Sequence, residues 1–498
     1  MPPEDALRGR DKRCHRMHFA RQYRDEAHLR VAHFPTATIE RTPARRRCRN
    51  RYSVQKHVSH ARATSDLFQS VPNDWKVQRK IVQSLFDPGV PAHRVASHTT
   101  CAGHRVKINH ASGASNPPLA VVVGDGLNAL GVVRSLGVAG IPVLAVVTDR
   151  RSPSALSRFA STIQSPKTSG AELIATLLRI AGDAPKAPIL FLTEEASVRT
   201  VSEARDALSA KMTIRLPSHA ILTDLMHKEQ FQMHAEQAGA PIPRLVRLTT
   251  PADLEHLHRL RFPCVLKPAY KDYSYGDRFK KAYVVESASE VRQLWEMISP
   301  VMSDLVVQEW IDGEDSEIFF CLQYVADGKV VASFPGRKIR SWPPRIGGTA
   351  SCTSAWEHGE ILQALTADFF LRVGFEGMGS MEYKRDVHSG RFYMIEPTVA
   401  RTDFQQEVAT LNGVNVPAIA YRHETGMGQP AQLIPMVPRV WRDPVIDRWA
   451  FQSTGGKGRP RFDSLRVVDA YFRWQDPMPW LEFMRVRVVD KVRALTRR

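Results

Sequence analysis

Order begins abruptly at Pro118, and the residues that follow restrict the fold more than any other stretch of the chain. LAVVVGDG reads as a buried strand ending in a glycine turn, LNALGVVRSLGVAG as a helix, and IPVLAVVTD as a second strand. Further on, PILFLTEEA reads as strand then loop, and SVRTVSEARDALSA as an amphipathic helix. Apolar strands that alternate with helices bury both faces in a parallel, doubly wound sheet. A Rossmann-like α/β domain is therefore expected over residues 117–220. The turn at Gly124, Gly126 and Gly131 places a helix N-terminus where an anion would be favoured. Its third glycine falls two places late for a dinucleotide fingerprint. Asp149 ends the next strand, where a dinucleotide enzyme would hold ribose. A small-residue crossover is the first reading, and a nucleotide-dependent oxidoreductase stays as an alternative.

From about Ile221 the pattern becomes mixed. LMHKEQFQMHAEQAG reads as a helix ended by Gly239, FPCVLKPA as a strand, ASEVRQLWEMISPVM as a helix and LVVQEWI as a strand. EIFFCLQYVADGKVVASFPGRK reads as a hairpin turning at Asp327–Gly328, EILQALTADFFLRVGF as a helix, and SMEYKRD with RFYMIEP as a second hairpin. This α+β body is expected over 221–426, followed by a tail, 427–498. The tail carries Trp441, Trp449, Trp474 and Trp480 and ends in WLEFMRVRVVDKVRALTRR. That last stretch reads first as a helix docked on the body with its arginines outward. Its mixture of aromatic and basic residues also suits a weak peripheral membrane contact.

The net charge of +18 over 498 residues suggests nucleic acid until it is mapped. Residues 1–116 hold 22 Lys and Arg against 9 Asp and Glu, whereas the other 382 residues hold 47 against 42. The excess thus belongs to one segment rich in Arg, His, Ser, Thr and Pro, which cannot bury enough apolar surface to offset chain entropy. A disordered extension is expected there. A basic arm that touches nucleic acid or anionic lipid is the second reading and an organelle transit peptide the third, weakened by early acids such as Glu4 and Asp5. Nucleic acid is not expected as a partner of the body. No uncharged apolar run reaches the roughly 18 residues of a membrane helix. Cys14, Cys48, Cys101, Cys264, Cys321 and Cys352 show neither close pairing nor metal-ligand spacing, which suits a reducing compartment and so the cytoplasm.

The informative residues are two acids. Glu382 lies in MEYKRD and Glu396 in FYMIEP, with VHSG between them as a turn. If the hairpin is symmetric about Ser389, the two glutamates face each other with Cβ atoms about 5 Å apart. Like charges so placed repel unless a cation bridges them, and Mg²⁺ takes oxygen ligands while keeping waters and substrate phosphates. A slip of one residue would put the acids on opposite faces, where they would simply be solvated. Lys228 lies on a helix before the GAPIP turn, and Lys267 lies in the apolar strand CVLKP, where a lysine is costly unless an anion meets it. VVQEWIDGED then offers Gln308, Glu309 and Asp315 around a turn at Gly313. Lysines, a hinge with acids, then paired carboxylates is the order expected for a nucleoside triphosphate with Mg²⁺.

HKEQFQMHAEQAGAPIP, FPCVLKP, VVQEWIDGED, GMGSMEYKRD and MIEPTVARTDFQ, in this order, resemble the ATP-grasp superfamily. The sequence is most similar to its carboxylate–amine ligase branch, which includes D-aspartate ligase and carbamoyl-phosphate-synthase-like proteins. The resemblance runs from about Pro118 to Gly426. It implies a Rossmann-like pre-ATP domain followed by a two-subdomain ATP-grasp fold with ATP between the subdomains. Lys228 and Lys267 would contact the phosphates. Gln308, Glu309, Trp310 and Ile311 would form the hinge beside adenine, and Asp315 would meet the ribose. Glu382 and Glu396 would ligate Mg²⁺, and Arg340 and Arg401 would steady the transferred phosphoryl group or the substrate carboxylate. The implied reaction joins a small-molecule carboxylate to an amine at the expense of ATP. Three departures stand out. Thr398 occupies a place where many relatives have a metal-binding Asn. The loop YKDYSYGDRFKK after Lys267 has only Gly276, with Lys271, Lys280 and Lys281 as substitutes. RKIRSWPPRIGGTAS resembles the loop that precedes catalysis in this branch, and Gly347 and Gly348 would let it move. A binding protein that works through its basic arm and carries a degenerate ATP site is the remaining alternative. No fixed code names the substrates or the oligomeric state.

Overall fold

The computed structural model describes residues 117–270, 275, 278–280, 282–429, 434–457, 462 and 465–496; the basic segment 1–116, expected to be a disordered extension, lies outside them. The first region runs β1 (Ala120–Val123), α1 (Leu127–Val138), β2 (Val143–Val147), β3 (Ala160–Gln164), α2 (Gly170–Asp183), β4 (Ile189–Leu192), α3 (Glu195–Glu203) and α4 (Arg205–Ser209). Its strands form a parallel sheet in the order β3-β2-β1-β4. β1 and β2 are buried along their whole length, which is why they read as unbroken apolar runs. β3, at the edge, reads ASTIQ and is half exposed.

The second region holds α5 (His219–Met226), α6 (Lys228–Gln237), β5 (Leu245–Leu248), β6 (Cys264–Pro268), β7 (Tyr283–Val285), α7 (Ala288–Ile298) and β8 (Leu305–Glu309). The sequence suggested one helix where α5 and α6 stand; His227 adopts an extended backbone and breaks it. The strands form an antiparallel sheet, β5-β8-β6-β7. It closes over a core of its own, with Leu248, Leu266, Val291, Trp295, Leu305 and Val307 at the centre.

The third region comprises β9 (Ile318–Ala326), β10 (Lys329–Trp342), β11 (Gly348–Ser354), α8 (Gly359–Arg372), β12 (Gly377–Arg385), β13 (Phe392–Thr398), α9 (Gln405–Leu411), α10 (Val416–Glu424), β14 (Arg439–Arg442), α11 (Ile446–Ser453), β15 (Arg466–Asp469) and α12 (Met478–Thr496). Its sheet has seven strands in the order β13-β12-β9-β10-β11-β14-β15. The β9–β10 hairpin turns at Asp327 and Gly328, both with positive φ (54° and 69°), the geometry whose twist matches the flanking strands. Residues beyond 427 are not a separate tail: β14 and β15 extend this sheet. One face packs Phe319, Cys321 and Val325 with Val121, Val123 and Leu144 of the parallel sheet and with Phe369 of α8. The other packs Phe320, Leu322 and Phe334 with Val122, Ala145, Val408 and Trp441. The seven-stranded and parallel sheets therefore share both of their cores.

A buried charge network crosses this shared core. Arg134 on α1 is 4% exposed. It donates through Nε to Asp476 (2.9 Å), through Nη1 to the Ala470 carbonyl (2.7 Å) and through Nη2 to the Tyr471 carbonyl (2.8 Å). Glu407 on α9 accepts from Trp441 Nε1 (2.8 Å) and from Arg473 (2.7 Å). Cys264, Cys321 and Cys352 are buried free thiols. Among the described residues, no helix is long and apolar enough to cross a membrane.

Candidate active site

Glu382 on β12 pairs directly with Glu396 on β13. The hairpin reaches this register through a bulge. From the turn outward Arg385 faces Phe392, Lys384 faces Tyr393 and Tyr383 faces Met394, after which Glu382 faces Glu396 and Ile395 has no partner. An unbroken ladder would set Glu382 against Ile395 and send the acids to opposite faces. The extra residue brings both carboxylates to one face. Glu396 is exposed and Glu382 half-buried.

A residue that sequence reasoning missed answers the charge of Glu382. Lys338 on β10 is 3% exposed and reaches over β9 to place Nζ 2.7 Å from Glu382 Oε2, and it also donates to the Gly347 carbonyl (3.3 Å). Thr398 donates to Asp403 (3.5 Å), and Asp403 accepts from the backbone N–H of Gln405 (2.8 Å). Desolvation pushes the Asp403 carboxyl above its usual range, with Arg401 and Lys338 pulling it down and Glu382 pushing it up. Asp403 thus lies within electrostatic reach of Glu382, Arg401 and Lys338.

A cleft beside β13 is lined by Lys228, Glu195, Glu396 and Arg401, over an apolar floor that includes Leu225, Met226 and Phe231. Lys228 opens α6, and Glu195 opens α3 just beyond the end of β4. Glu195 also pairs with Arg199 (3.3 Å). Arg401 donates to the Thr402 carbonyl (3.2 Å). The structure therefore gathers Lys228, Glu396 and Arg401 in one place and joins Glu382 to them by strand pairing.

The remaining candidates lie on the second sheet and around the chain that leaves it. Lys267 on β6 donates from Nζ to Gln308 Oε1 on β8 (2.9 Å). The Glu309 carboxylate takes the backbone N–H of Arg261 (3.0 Å) and pairs with its guanidinium (3.2 Å). The backbone N–H groups of Glu309 and Trp310 bond the carbonyls of Arg244 and Pro263. Trp310 lies under the Arg345 guanidinium at 5.2 Å, and Ile311 is half-buried beside it. Lys384, one more buried lysine that sequence reasoning missed, donates to the carbonyls of Gly313 (2.6 Å) and Glu314 (2.9 Å), and burial lowers it to about 8.

Two expectations are corrected. Asp315 does not present its carboxylate for a ribose: it is buried and accepts from the backbone N–H of Ser341 (2.8 Å), from the Ser341 hydroxyl and from the backbone N–H of Arg345 (2.6 Å). It fixes the loop after β10. Arg340 does not reach the acids. Lys338 faces Cys352 but Arg340 faces Ser351, so a bulge at Ile339 turns Arg340 to the opposite side of the sheet. There it pairs with fully buried Asp447 (2.7 Å) and lies over Phe462 (4.5 Å). Alternation along RKIR would have flagged Lys338; the bulge is what the sequence hides.

The glycine turn after β1 is filled from within. The Asp125 carboxylate accepts from the Thr148 backbone N–H (3.0 Å) and hydroxyl (2.6 Å), and the Asp125 N–H points to Glu194 (3.4 Å). A side chain on Gly124 (φ +141°) would meet Thr193 Oγ1 at 2.2 Å. These internal contacts occupy the Asp125 carboxylate and N–H, which weighs against the oxidoreductase alternative, although Gly126 has open space beside it. Of the lysines proposed for the loop after Lys267, Lys271 and Lys281 lie outside the described residues, and Lys280 lies 5.5 Å from the Tyr283 ring.

Among the described residues, no three His, Cys, Asp or Glu side chains converge as a metal cage. Two paired carboxylates, one of them exposed, fit instead a divalent ion that draws its other ligands from phosphate and water. No family profile matches the sequence. Over 180 residues the chain is 27% identical to D-alanine–D-alanine ligase from Pseudomonas putida (strain GB-1), covering 33% of this chain. The chain spans about half, 51%, of that relative's length. The structure matches N5-carboxyaminoimidazole synthetase from Staphylococcus aureus complexed with ADP, with a TM-score of 0.52, 12% identity, and coverage of 66% of this chain and 84% of that one. An ADP complex of N5-carboxyaminoimidazole ribonucleotide synthetase gives 0.52 and 12%, with 75% and 98% covered. The biotin carboxylase domain of 2-oxoglutarate carboxylase from Hydrogenobacter thermophilus, solved with MgADP, ADP and bicarbonate, gives 0.51 and 15%, with 66% and 74% covered. An antiparallel sheet bearing Lys267, a larger sheet bearing paired acids, a parallel sheet packed against it and these structural matches together give the chain the fold of the ATP-grasp superfamily.

Proposed function

We propose that the protein is an ATP- and Mg²⁺-dependent carboxylate–amine ligase that forms an amide bond through an acyl phosphate. The observation that carries this reading is the directly opposed Glu382 and Glu396 beside a cleft that also holds Lys228 and Arg401. In this reading Glu382 and Glu396 hold Mg²⁺, which neutralises triphosphate charge when bound. Lys228 and Lys267 meet the phosphates, and Gln308 to Ile311 border the base. A substrate carboxylate oxygen attacks the γ-phosphorus, the bond to the bridging oxygen breaks, and ADP leaves. An amine then attacks the acyl carbon, loses a proton and expels phosphate. Arg401 steadies the acid substrate by the two-pronged geometry of guanidinium. The protein's work is positioning and charge neutralisation, with no covalent enzyme intermediate. Arg340 and Asp315 have no part in it.

The chemistry is tested by phosphate release from the full chain with ATP, Mg²⁺ and pairs drawn from a panel of amino acids and small amines. The expected result is release that needs one particular acid and one particular amine together. ATP turnover that never depends on an added carboxylate overturns the reading.

A further inference from the structure

Two opposed carboxylates attract a divalent ion whether it comes from solution or with a nucleotide. Here Glu382 already has a cation. Lys338 stands on the strand next but one to β12, and Gly336, two residues before it, leaves room for the Phe320 ring, which a side chain there would meet at 2.2 Å. The ammonium is held at both ends of its reach, by Glu382 Oε2 at 2.7 Å and by the Gly347 carbonyl at 3.3 Å. Its side chain is 4% exposed against 29% for Glu382, so solvent screens the pair weakly from the lysine side.

We propose that Lys338 is a built-in counter-ion of the acid pair, a positioning residue that makes divalent-cation binding depend on nucleotide. The ammonium holds one oxygen of Glu382, fixes that side chain and repels a second cation. An aqueous Mg²⁺ or Mn²⁺ then meets a site with one net negative charge from this trio rather than two. Only an ion that arrives already coordinated by phosphates, whose negative charge offsets the lysine, settles there. The inference rests on the ligase reading for the role of Glu382 and Glu396, but its test needs no turnover.

Mn²⁺ binding to the full chain without nucleotide is measured by electron paramagnetic resonance, for the native protein, Lys338→Met and Lys338→Arg. Lys338→Met is expected to bind Mn²⁺ at least about tenfold tighter than the native chain, since a unit positive charge has been removed beside the ion. Lys338→Arg is expected to stay as weak as the native chain. If Lys338→Met does not fold by circular dichroism, Lys338→Gln replaces it, because its amide still donates to the Gly347 carbonyl. A folded neutral variant that binds Mn²⁺ no tighter than the native chain overturns the proposal, as does an Arg variant that gains equally. The same titration with ATP present separates the two readings: native protein that fails to bind Mn²⁺ even then contradicts the metal role of the acids, whatever Lys338 does alone.

Discussion

The sheet of β5 to β8 and the seven-stranded sheet both bring charged groups to the chemistry, but they are anchored differently. Lys267 and Gln308 stand on a small sheet that closes over its own core. Glu382, Glu396 and Lys338 stand on a sheet whose two faces are packed into cores shared with the parallel sheet. The acids are therefore fixed by most of the molecule, whereas Lys267, the lysine proposed to meet the phosphates, stands on a sheet with a separate core. A fixed acid side and a separately cored lysine side suit a site that closes over a nucleotide.

The sharpest way to break this contrast is at the fixed side. Glu396→Gln is expected to lower ATP turnover by about 100-fold or more. Because Glu396 is exposed, the circular dichroism spectrum and melting temperature should stay close to native. Near-native turnover at saturating Mg²⁺ would remove the acids from the mechanism. A weaker effect tests the independence of the small sheet. Leu266 is fully buried there, and Leu266→Ala is expected to cost about 2–5 kcal/mol locally. Hydrogen exchange should accelerate in β5 to β8 and leave β9 and β12 protected; acceleration spread evenly over both sheets would show one cooperative unit.

The smallest effect sharpens the link between the two. Lys384, on β12, holds the carbonyls of Gly313 and Glu314, in the chain that runs from β8 to β9. Burial lowers it from 10.5 to about 8. Between those values the unfolded chain keeps a proton that the folded chain has released, so stability should rise with pH across that window, by less than about 1.4 kcal/mol per unit. Below the window both states hold the proton and the slope vanishes. In denaturant melts inside the window and below it, only the native chain should show that slope, whatever pH-independent offset Lys384→Met adds by leaving the two carbonyls unpaired. A native chain with no rise would mean that the ammonium is not strained by its surroundings.

How much of this was legible in the sequence depends on what sets each feature. Unbroken apolar runs marked the parallel strands, and the turn residues Asp327–Gly328 and VHSG marked the two hairpins, because neighbours in sequence dictate each of them. The facing of Glu382 and Glu396 followed from assuming a symmetric hairpin, yet the molecule achieves it with an unpaired Ile395. The Ile339 bulge worked the other way. It split Lys338 and Arg340, which alternation would keep on one face, so the arginine expected at the site belongs to Asp447, and the lysine two places before it meets Glu382. A bulge has no residue signature in a strand rich in β-formers, since it depends on which partners lie across the sheet. Asp315 was misread for a similar reason: its acceptors were claimed by Ser341 and Arg345, which are remote in sequence and adjacent only once β10 has turned back.

The buried Arg134 network sets an order on folding. Its acceptors at Ala470, Tyr471 and Asp476 lie more than three hundred residues further along the chain. While the protein is being made, helix α1 emerges early with a guanidinium whose native partners do not yet exist, and a buried cation without partners is strongly unfavourable. The nascent parallel sheet can form, but it cannot seal its helical layer until the segment that carries Ala470, Tyr471 and Asp476 has been made. The residues just after β15 thus act as the clasp for α1, and the core that the two larger sheets share reaches its final packing only with them.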